Sequence, residues 1–319
     1  MQSLESNRYS DWPRRLEALA RAALTLTRNT PSGRIVLARL ADLIDPSWIP
    51  PSERGGRVWA LLQAAREEAQ RPIPLASIAQ ILRDSWDCPP QDELRSFVQA
   101  PVAVTPTSQV HRASLHDGRE VAVKVLRPGL PATVRQDLVL LDGLTVPLID
   151  AFPGLDPGAL IAELRERMMD ELDLEHEAAV QRRFRRALQG HPFLSVPAPI
   201  TRLSHPGVLV SEWAAGVPLA ALARPDRRRA ADRFVTFVLG GFGEGFVHCD
   251  PNPDDVLVGP DGRLELLDFG ATATIPDDVL WPIRAVTQLG VTLTRLRVGP
   301  PQRELVYGAL RNGWATGSS

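Results

Sequence analysis

The chain has 319 residues, a formal net charge of −2 at pH 7, and hydrophobic and charged fractions of 44% and 23%. These values describe a soluble globular protein with room for one large two-lobed domain, or for a domain with an extension. The nearly balanced charge gives no electrostatic reason to expect nucleic acid as a partner.

Secretion and membrane insertion are also disfavoured by the sequence. Cys88 and Cys249 lie far apart in no paired spacing, which argues against a disulfide framework and fits a reducing cytoplasm. The first thirty residues carry charges throughout and do not predict a signal peptide. No run approaches the roughly 18 apolar residues of a membrane span. The predicted location is the cytoplasm, with a membrane-peripheral position left open.

Residues 1–99 are predicted to form a helical extension. Apolar residues at helical spacing predict a helix over residues 12–28, and looser patterns predict helices over 58–70 and 75–86. Seven arginines and only three acids lie within the first forty residues. We expect solvated helix faces there, with docking on an anionic membrane surface or a partner as the alternative.

Strand patterns begin near residue 100. The predicted strands cover residues 102–104, 110–115 and 120–126, with a tight turn at residues 116–118. Val121 and Val123 alternate with Ala122 and Lys124. One face of this strand is therefore apolar, and we expect the lysine to project from the other face.

The second half of the chain mixes helices and strands. A long helix is predicted over residues 157–188 with Asp156 as its N-cap, followed by a strand over 208–213 and a buried helix over 234–246. Pro260-Asp261-Gly262 predicts a hairpin between strands 256–258 and 264–267. The glycine run at residues 240–245 fits no phosphate-loop pattern, so we expect it to serve helix packing or a helix end.

Arginine groups occur at residues 182–186, within the predicted helix 157–188, and at residues 227–229, before the predicted helix 234–246. We expect solvated helix faces at both places, because charge runs on helices are usually exposed. Binding to phospholipid or to an acidic partner is the alternative.

Four short motifs occur in the order found in protein kinases. Val121-Ala122-Val123-Lys124 matches the V-A-I-K strand, whose lysine holds the α- and β-phosphates of ATP. The other three are a glutamate in the long helix, an H-x-D motif and a D-F-G motif: Glu171, His248-Cys249-Asp250 and Asp268-Phe269-Gly270. Each motif alone is weak, but four in order and in suitable local structure predict a nucleotide site.

The chemistry of phosphoryl transfer explains these residue types. Catalysis consists mainly of positioning and charge stabilisation. Lys124 would neutralise the phosphates, Glu171 would fix the lysine by an ion pair, and Asp250 would orient or accept the attacking hydroxyl. Asp268 offers the hard oxygen ligands that Mg²⁺ prefers. Lys124 is the only lysine among 36 basic residues, which indicates a site that needs a compact ammonium rather than a guanidinium.

Over about residues 100–275 the chain resembles the UbiB/ADCK atypical kinases, also called aarF-domain proteins. The matching stretches are residues 108–113, 117–125, 127–129, 171–178, 191–193, 196–197, 208–210, 248–253 and 266–272. The resemblance implies a bilobal α+β protein-kinase-like fold. Its N-lobe would cover residues 100–213 and a shortened C-lobe residues 214–319, behind the helical extension at 1–99.

The same resemblance implies ATP and Mg²⁺ as ligands. It implies that Lys124 and Glu171 form the ion pair, that Glu177 is a second acidic group lining the site, and that backbone groups near Glu212 and Trp213 meet the adenine. The family's nucleotide loop corresponds to residues 103–108. Val104 and Ser108 are the nucleotide-binding candidates within that loop.

The sequence departs from the family pattern at several positions. Asp255 and Asp254 replace the metal-binding asparagine and the glycine before it, and Asp255 remains a candidate Mg²⁺ ligand beside Asp268. Pro106 removes a backbone donor from the nucleotide loop. The family's K-x-G-Q motif is missing, since the chain has only one lysine.

The predicted function is Mg-ATP-dependent phosphoryl transfer or ATP hydrolysis. A small molecule or lipid precursor is favoured over a protein as the acceptor, and a link to isoprenoid-quinone metabolism rests on the resemblance alone. The alternative is a nucleotide-binding pseudokinase that regulates a partner protein. Turnover that depends on Asp250 would separate the two.

Overall fold

The computed structural model describes residues 71–151, 156–275 and 280–315, together with a few isolated positions before residue 71. The predicted helices over 12–28 and 58–70 and the arginine-rich first forty residues lie outside these described ranges. The contacts divide the chain into two compact units. The first takes residues 1–78, 101–110 and 126–172, and the second takes residues 79–100, 111–125 and 173–319.

Runs of strands and runs of helices follow one another along the described ranges. The strands are β1 (Leu94–Phe97), β2 (Ala103–Val104), β3 (Ser108–Leu115), β4 (Glu120–Leu126), β5 (Leu194–Ser195), β6 (Val208–Glu212), β7 (Val217–Pro218), β8 (Phe246–His248), β9 (Val256–Val258), β10 (Leu264–Leu266) and β11 (Thr272–Thr274). The α-helices are α1 (Leu75–Trp86), α2 (Pro90–Glu93), α3 (Leu130–Asp137), α4 (Thr145–Ala151), α5 (Pro157–Asp170), α6 (Leu174–Ala187), α7 (Arg224–Glu244), α8 (Leu280–Arg295) and α9 (Arg303–Asn312). None of these helices combines the length and the hydrophobicity that crossing a bilayer requires.

The largest sheet has the strand order β1-β3-β4-β6, with β2 paired to β3. Of the predicted strands in this sheet, β2, β3 and β6 are present with small shifts at their ends, and β4 has the predicted bounds. Val121, Val123 and Val125 are fully buried, whereas Lys124 lies on the opposite face. β1 pairs with β3 in antiparallel register, so the sheet begins before residue 100 and inside the segment predicted as helical.

The helix predicted over residues 157–188 is two helices, α5 and α6, so that prediction is wrong. Asp173 has an extended backbone, with φ −125° and ψ 95°, and its side chain accepts hydrogen bonds from the backbone N–H groups of Glu175 and His176. This arrangement is an N-cap, which ends any continuation from the preceding helix. The buried face of α6 includes Glu177, Ala178, Gln181 and Phe184.

An aromatic cluster forms the core beneath α6 and α7 in the second unit. The ring of Phe184 lies 4.9 to 5.9 Å from the rings of Phe237, Phe246, Phe269 and Trp314. Offset and edge-on contacts at this spacing are favourable beyond the burial of area. The cluster therefore ties α6 and α7 to β8 and to the D-F-G segment.

The glycine run serves helix packing and a helix end, as predicted. A side chain at Gly240 would collide with the ring of Trp314, and one at Gly241 would lie 2.7 Å from the carbonyl oxygen of Phe246. Gly245 ends α7 in the left-handed conformation, with φ +77°. Such a conformation favours glycine because it has no Cβ.

Two short antiparallel strand pairs position the H-x-D and D-F-G motifs. β8 pairs with β11 in antiparallel register, and the N–H of Cys249 donates to the carbonyl oxygen of Ala271, so the segment after His248 lies beside the end of the D-F-G motif. β9 and β10 form the predicted hairpin, with Gly262 at φ +78° in its turn. The N–H of Leu267 donates to the carbonyl oxygen of Asp255 at 2.9 Å, so Asp255 and Asp268 leave adjacent ends of this hairpin.

Candidate active site

Lys124 lies at the centre of an ion cluster in the second unit. Its Nζ donates to both carboxylate oxygens of Glu177 at 2.8 Å and to Oδ1 of Asp268 at 3.2 Å. The side chains of Lys124, Glu177 and Asp268 are 15%, 3% and 39% exposed. The ammonium is thus held between β4, α6 and the D-F-G segment. Because Asp268 is the most exposed of the three side chains, solvent or a ligand reaches the ammonium from its side.

The partner of Lys124 is Glu177, which corrects the prediction that Glu171 forms the ion pair. Glu171 precedes the N-cap Asp173, whereas Glu177 lies on the buried face of α6. The sequence contained a signal for this break, since an aspartate followed by acidic residues is typical of a helix start. A role for Glu171 itself stays a prediction.

The pKa values of this pair reflect both burial and charge. Burial alone would lower the pKa of Lys124, but the carboxylates of Asp268 and Glu177 outweigh burial and raise that pKa above its ordinary value. Burial also raises the pKa of Glu177, against the effect of the Lys124 charge. Lys124 is therefore an ammonium at neutral pH, the form that binds phosphate oxygens.

The loop that carries Asp268 is fixed from several sides. Asp268 has φ +53°, a left-handed backbone that is uncommon outside glycine and that tends to occur at functional sites. His248 Nε2–H donates to its carbonyl oxygen at 2.6 Å, and the N–H of Phe269 donates to Glu177 at 3.2 Å. These bonds hold the Asp268 carboxylate beside Lys124, and His248 braces the loop.

Asp250 and Asp255 complete the acidic side of the site. Both side chains are half-buried, with Asp250 two residues after β8 and Asp255 just before β9. Burial raises the pKa of Asp255 well above its usual range, and the carboxylates of Asp268 and Asp250 raise it further. The carboxylates of Asp268 and Asp250 thus repel the carboxylate of Asp255, at the place where the sequence predicts a cation site.

The donor chemistry of these residues fits magnesium only when a ligand shares the coordination shell. Within the described ranges, no group of three or more His, Cys, Asp or Glu side chains could hold a metal ion by itself. Mg²⁺ commonly takes one or two carboxylates and completes its octahedron with water and substrate phosphates. Asp268 and Asp255 supply the hard oxygens that such a shared site needs.

The residues predicted to meet the adenine lie at the end of β6. The N–H of Glu212 donates to the carbonyl oxygen of Ala198, and that of Trp213 donates to the carbonyl oxygen of Glu120, both at 2.9 Å. The guanidinium carbon of Arg112 lies 5.0 Å from the centre of the Trp213 ring. An adenine contact at Glu212 and Trp213 would therefore use their carbonyl groups, and it stays a prediction.

The predicted nucleotide loop is a closed turn in the first unit. The N–H of Thr105 donates to the carbonyl oxygen of Ser108 at 2.8 Å, and the N–H of Ser108 donates to Oγ1 of Thr105 at 2.9 Å. Ser108 is buried and Val104 is half-buried beside it. The Arg127 side chain donates to the carbonyl oxygens of Pro106 and Thr105 at 2.9 and 3.2 Å. Arg127 thus fixes the loop, a function that the sequence reasoning missed, and nucleotide contacts of Val104 and Ser108 stay predictions.

We expect the substitution Asp255→Asn to stabilise the ligand-free protein at neutral pH. A carboxyl whose pKa is raised on folding destabilises the folded state as pH rises from its unfolded pKa, near 3.9, through its folded pKa. Burial is the main cause of the raised pKa of Asp255, and the carboxylates of Asp268, Asp250 and Asp254 add to it against the attraction of Lys124. The midpoint of thermal unfolding should rise by roughly 2–4 °C for each kcal/mol of unfavourable free energy that the substitution removes. The gain should vanish below about pH 4, where the unfolded carboxyl is also protonated, and a gain that persisted there would contradict this account.

Comparison with known proteins gives consistent matches. The model of the ABC1 atypical kinase-like domain matches residues 66–291. The probable protein kinase UbiB of Marinobacter nauticus is 32% identical over 221 residues, and the AarF domain-containing protein kinase 1 of Mus musculus is 31% identical over 215 residues. These alignments cover 65% and 64% of this chain but only 40% and 41% of the two relatives, so the chain spans about two fifths of their length.

A solved structure shares the fold. The Mycobacterium tuberculosis protein Rv3197, determined in complex with erythromycin, aligns with a TM-score of 0.55 and 32% identity. The alignment covers 75% of this chain and 60% of that one.

Proposed function

The chain belongs to the ABC1 atypical kinase-like family, and from this membership we propose that it binds Mg-ATP around Lys124 and uses it for phosphoryl transfer or ATP hydrolysis. The observation that carries the proposal is the cluster of Lys124, Glu177 and Asp268, joined at 2.8 and 3.2 Å. The only lysine of the chain is thereby oriented by a buried carboxylate beside the D-F-G aspartate. Its kinase-like α+β fold supports the same proposal.

Each charged residue has a proposed role. Lys124 binds the phosphates that are not transferred, and Glu177 holds its flexible side chain in one orientation. Asp268 and Asp255 would hold magnesium, which would supply positive charge against the phosphates. Asp250 orients or accepts the proton of the attacking hydroxyl or water, which is the usual task of the aspartate in the H-x-D motif.

The proposed acceptor is a small molecule or a lipid precursor rather than a protein. Support comes from the name UbiB carried by the Marinobacter relative and from the family resemblance, which links such proteins to isoprenoid-quinone metabolism. Cys88 and Cys249 are free thiols, which agrees with the reducing cytoplasm proposed as the location. Peripheral contact with a membrane remains the alternative.

A second candidate function is a nucleotide-binding pseudokinase that regulates a partner protein. It is favoured by the turn at residues 105–108, which is closed by its own hydrogen bonds and by Arg127. Such a turn offers few free donors to a phosphate. This candidate predicts nucleotide binding without turnover.

The single lysine allows a direct test of the nucleotide site. The probe is an ATP derivative carrying an acyl phosphate, which transfers its acyl group to a nearby amine and releases ATP. We expect the probe to acylate Lys124 and excess Mg-ATP to prevent this, as measured by mass spectrometry of the peptide that contains Lys124. The only other amine of the chain is its N-terminal α-amino group.

The controls also depend on Lys124 being the only lysine of the chain. Lys124→Arg leaves only the α-amino group to react, so its labelling reports non-specific acylation. A simple amine reagent without a nucleotide should favour the α-amino group, because the raised pKa of Lys124 leaves little of its amine unprotonated. The proposal fails if Lys124 is labelled equally with and without excess Mg-ATP, or if only the α-amino group reacts.

A further inference from the structure

A cavity of about 400 Å³ lies in the second unit beside the first half of α7. It shares no lining residue with the site around Lys124. Its volume falls in the range of about 300–1,000 Å³ that is usual for small-molecule sites. We call it the arginine pocket, after three of its lining residues. The lining consists of Arg228, Arg229, Arg233, Asp232, Thr236, Phe193 and Leu305.

The arginine pocket carries uncompensated positive charge. Three guanidinium groups face one carboxylate, and that carboxylate, Asp232, is already bonded to Nε of Arg228 at 3.1 Å. Arg229 is exposed, and no hydrogen-bond or ion-pair partner of it lies among the described residues. Arg229 and Arg233 are four residues apart on one helix, where like charges repel each other. An anion between them would relieve this repulsion.

Two of the three arginines are held in place by backbone carbonyls. Arg228 donates to the carbonyl oxygens of Gly299 at 3.1 Å and Pro300 at 3.3 Å. Arg233 donates to the carbonyl oxygen of Gly262, and its guanidinium carbon lies 5.1 Å from the centre of the Phe193 ring. Carbonyl groups orient a guanidinium without neutralising its charge, and its fork has five donors. Fixed donors therefore remain available to a ligand.

The other wall of the pocket is apolar. Phe193 and Leu305 are both half-buried, so part of each side chain remains open to a ligand. A guanidinium pairs best with phosphate or carboxylate, to which it can donate two parallel hydrogen bonds. We propose that the arginine pocket binds a phosphate ester, with the phosphate on Arg229 and Arg233 and the apolar part of the ester against Phe193 and Leu305. The ester is either a free metabolite or the headgroup of a membrane lipid.

Calorimetric titration of the full chain with phenyl phosphate and with inorganic phosphate tests the free form. We expect phenyl phosphate to bind more tightly than inorganic phosphate, because only the ester reaches Phe193 and Leu305. Arg229→Glu should weaken binding about tenfold or more, since it replaces a charge-assisted hydrogen bond with repulsion. Lys124→Ala should bind normally, which separates this pocket from the proposed nucleotide site.

Co-sedimentation with vesicles tests the lipid form. Vesicles of phosphatidate should retain the protein, vesicles of phosphatidylcholine should not, and Arg229→Glu should abolish retention. The matched control is Arg186→Glu, which makes the same charge change at an exposed arginine of α6. Binding of either ligand that is lost in Arg229→Glu and kept in Arg186→Glu supports the proposal and identifies the source. Binding of neither ligand, or equal effects of the two variants, overturns it.

Discussion

Replacing Glu177 with alanine should lower the free energy of unfolding by about 3–5 kcal/mol, because it leaves the buried ammonium of Lys124 without its main partner. The Glu177 side chain is 3% exposed and contacts Nζ through both of its oxygens at 2.8 Å. Asp268 remains as a second partner at 3.2 Å, but it is far more exposed and its charge is screened by water. Chemical denaturation at neutral pH measures the difference.

Glu171→Ala is the matched control, since the sequence alone predicted Glu171 as the partner of Lys124. Glu171 is half-buried whereas Glu177 is buried, so we expect a smaller loss of stability than in Glu177→Ala. Glu177→Gln keeps the volume of the side chain and removes only its charge, so it separates the ion pair from the packing of α6. A larger loss in the Glu171 variant than in the Glu177 variant would contradict the pairing seen in the structure.

Local patterns in the sequence were sufficient to predict much of the fold. β4 has the predicted bounds because its alternation of valines with Ala122 and Lys124 can satisfy only a strand with one buried face. The hairpin of β9 and β10 was predicted because Pro260-Asp261-Gly262 supplies a residue that tolerates a positive φ. In both cases the deciding physical constraint lies within a few residues.

The errors lie where the deciding contact is distant in sequence. β1 is a strand because it pairs with β3, and the four residues Leu94–Phe97 carry no strong pattern of their own. The site motifs were predicted, but the choice between Glu171 and Glu177 depends on where Asp173 restarts the helix. The arginines at 227–229 were predicted as a solvated face: Arg229 is exposed, whereas Arg228 donates to carbonyl oxygens 71 and 72 residues away. No pattern within α7 encodes those partners.

Replacing Asp250 with asparagine should reduce turnover of Mg-ATP by about 10²–10⁴-fold, the usual contribution of a positioned acid or base. The substitution keeps the shape of a half-buried side chain and removes its ability to accept a proton. Lys124, Glu177 and Asp268 are unchanged, so labelling of Lys124 by the nucleotide probe should persist. Turnover is measured as phosphate release from Mg-ATP under saturating conditions.

The matched control is Asp226→Asn, the same change at an exposed position in the first turn of α7. Turnover equal to that of the original protein in Asp226→Asn, together with the loss in Asp250→Asn, would establish an enzyme. Equal turnover in both variants would remove Asp250 from the chemistry. If the original protein binds nucleotide at Lys124 and shows no turnover, the regulatory binding module becomes the correct description, because positioning of the phosphates by Lys124 does not by itself transfer them.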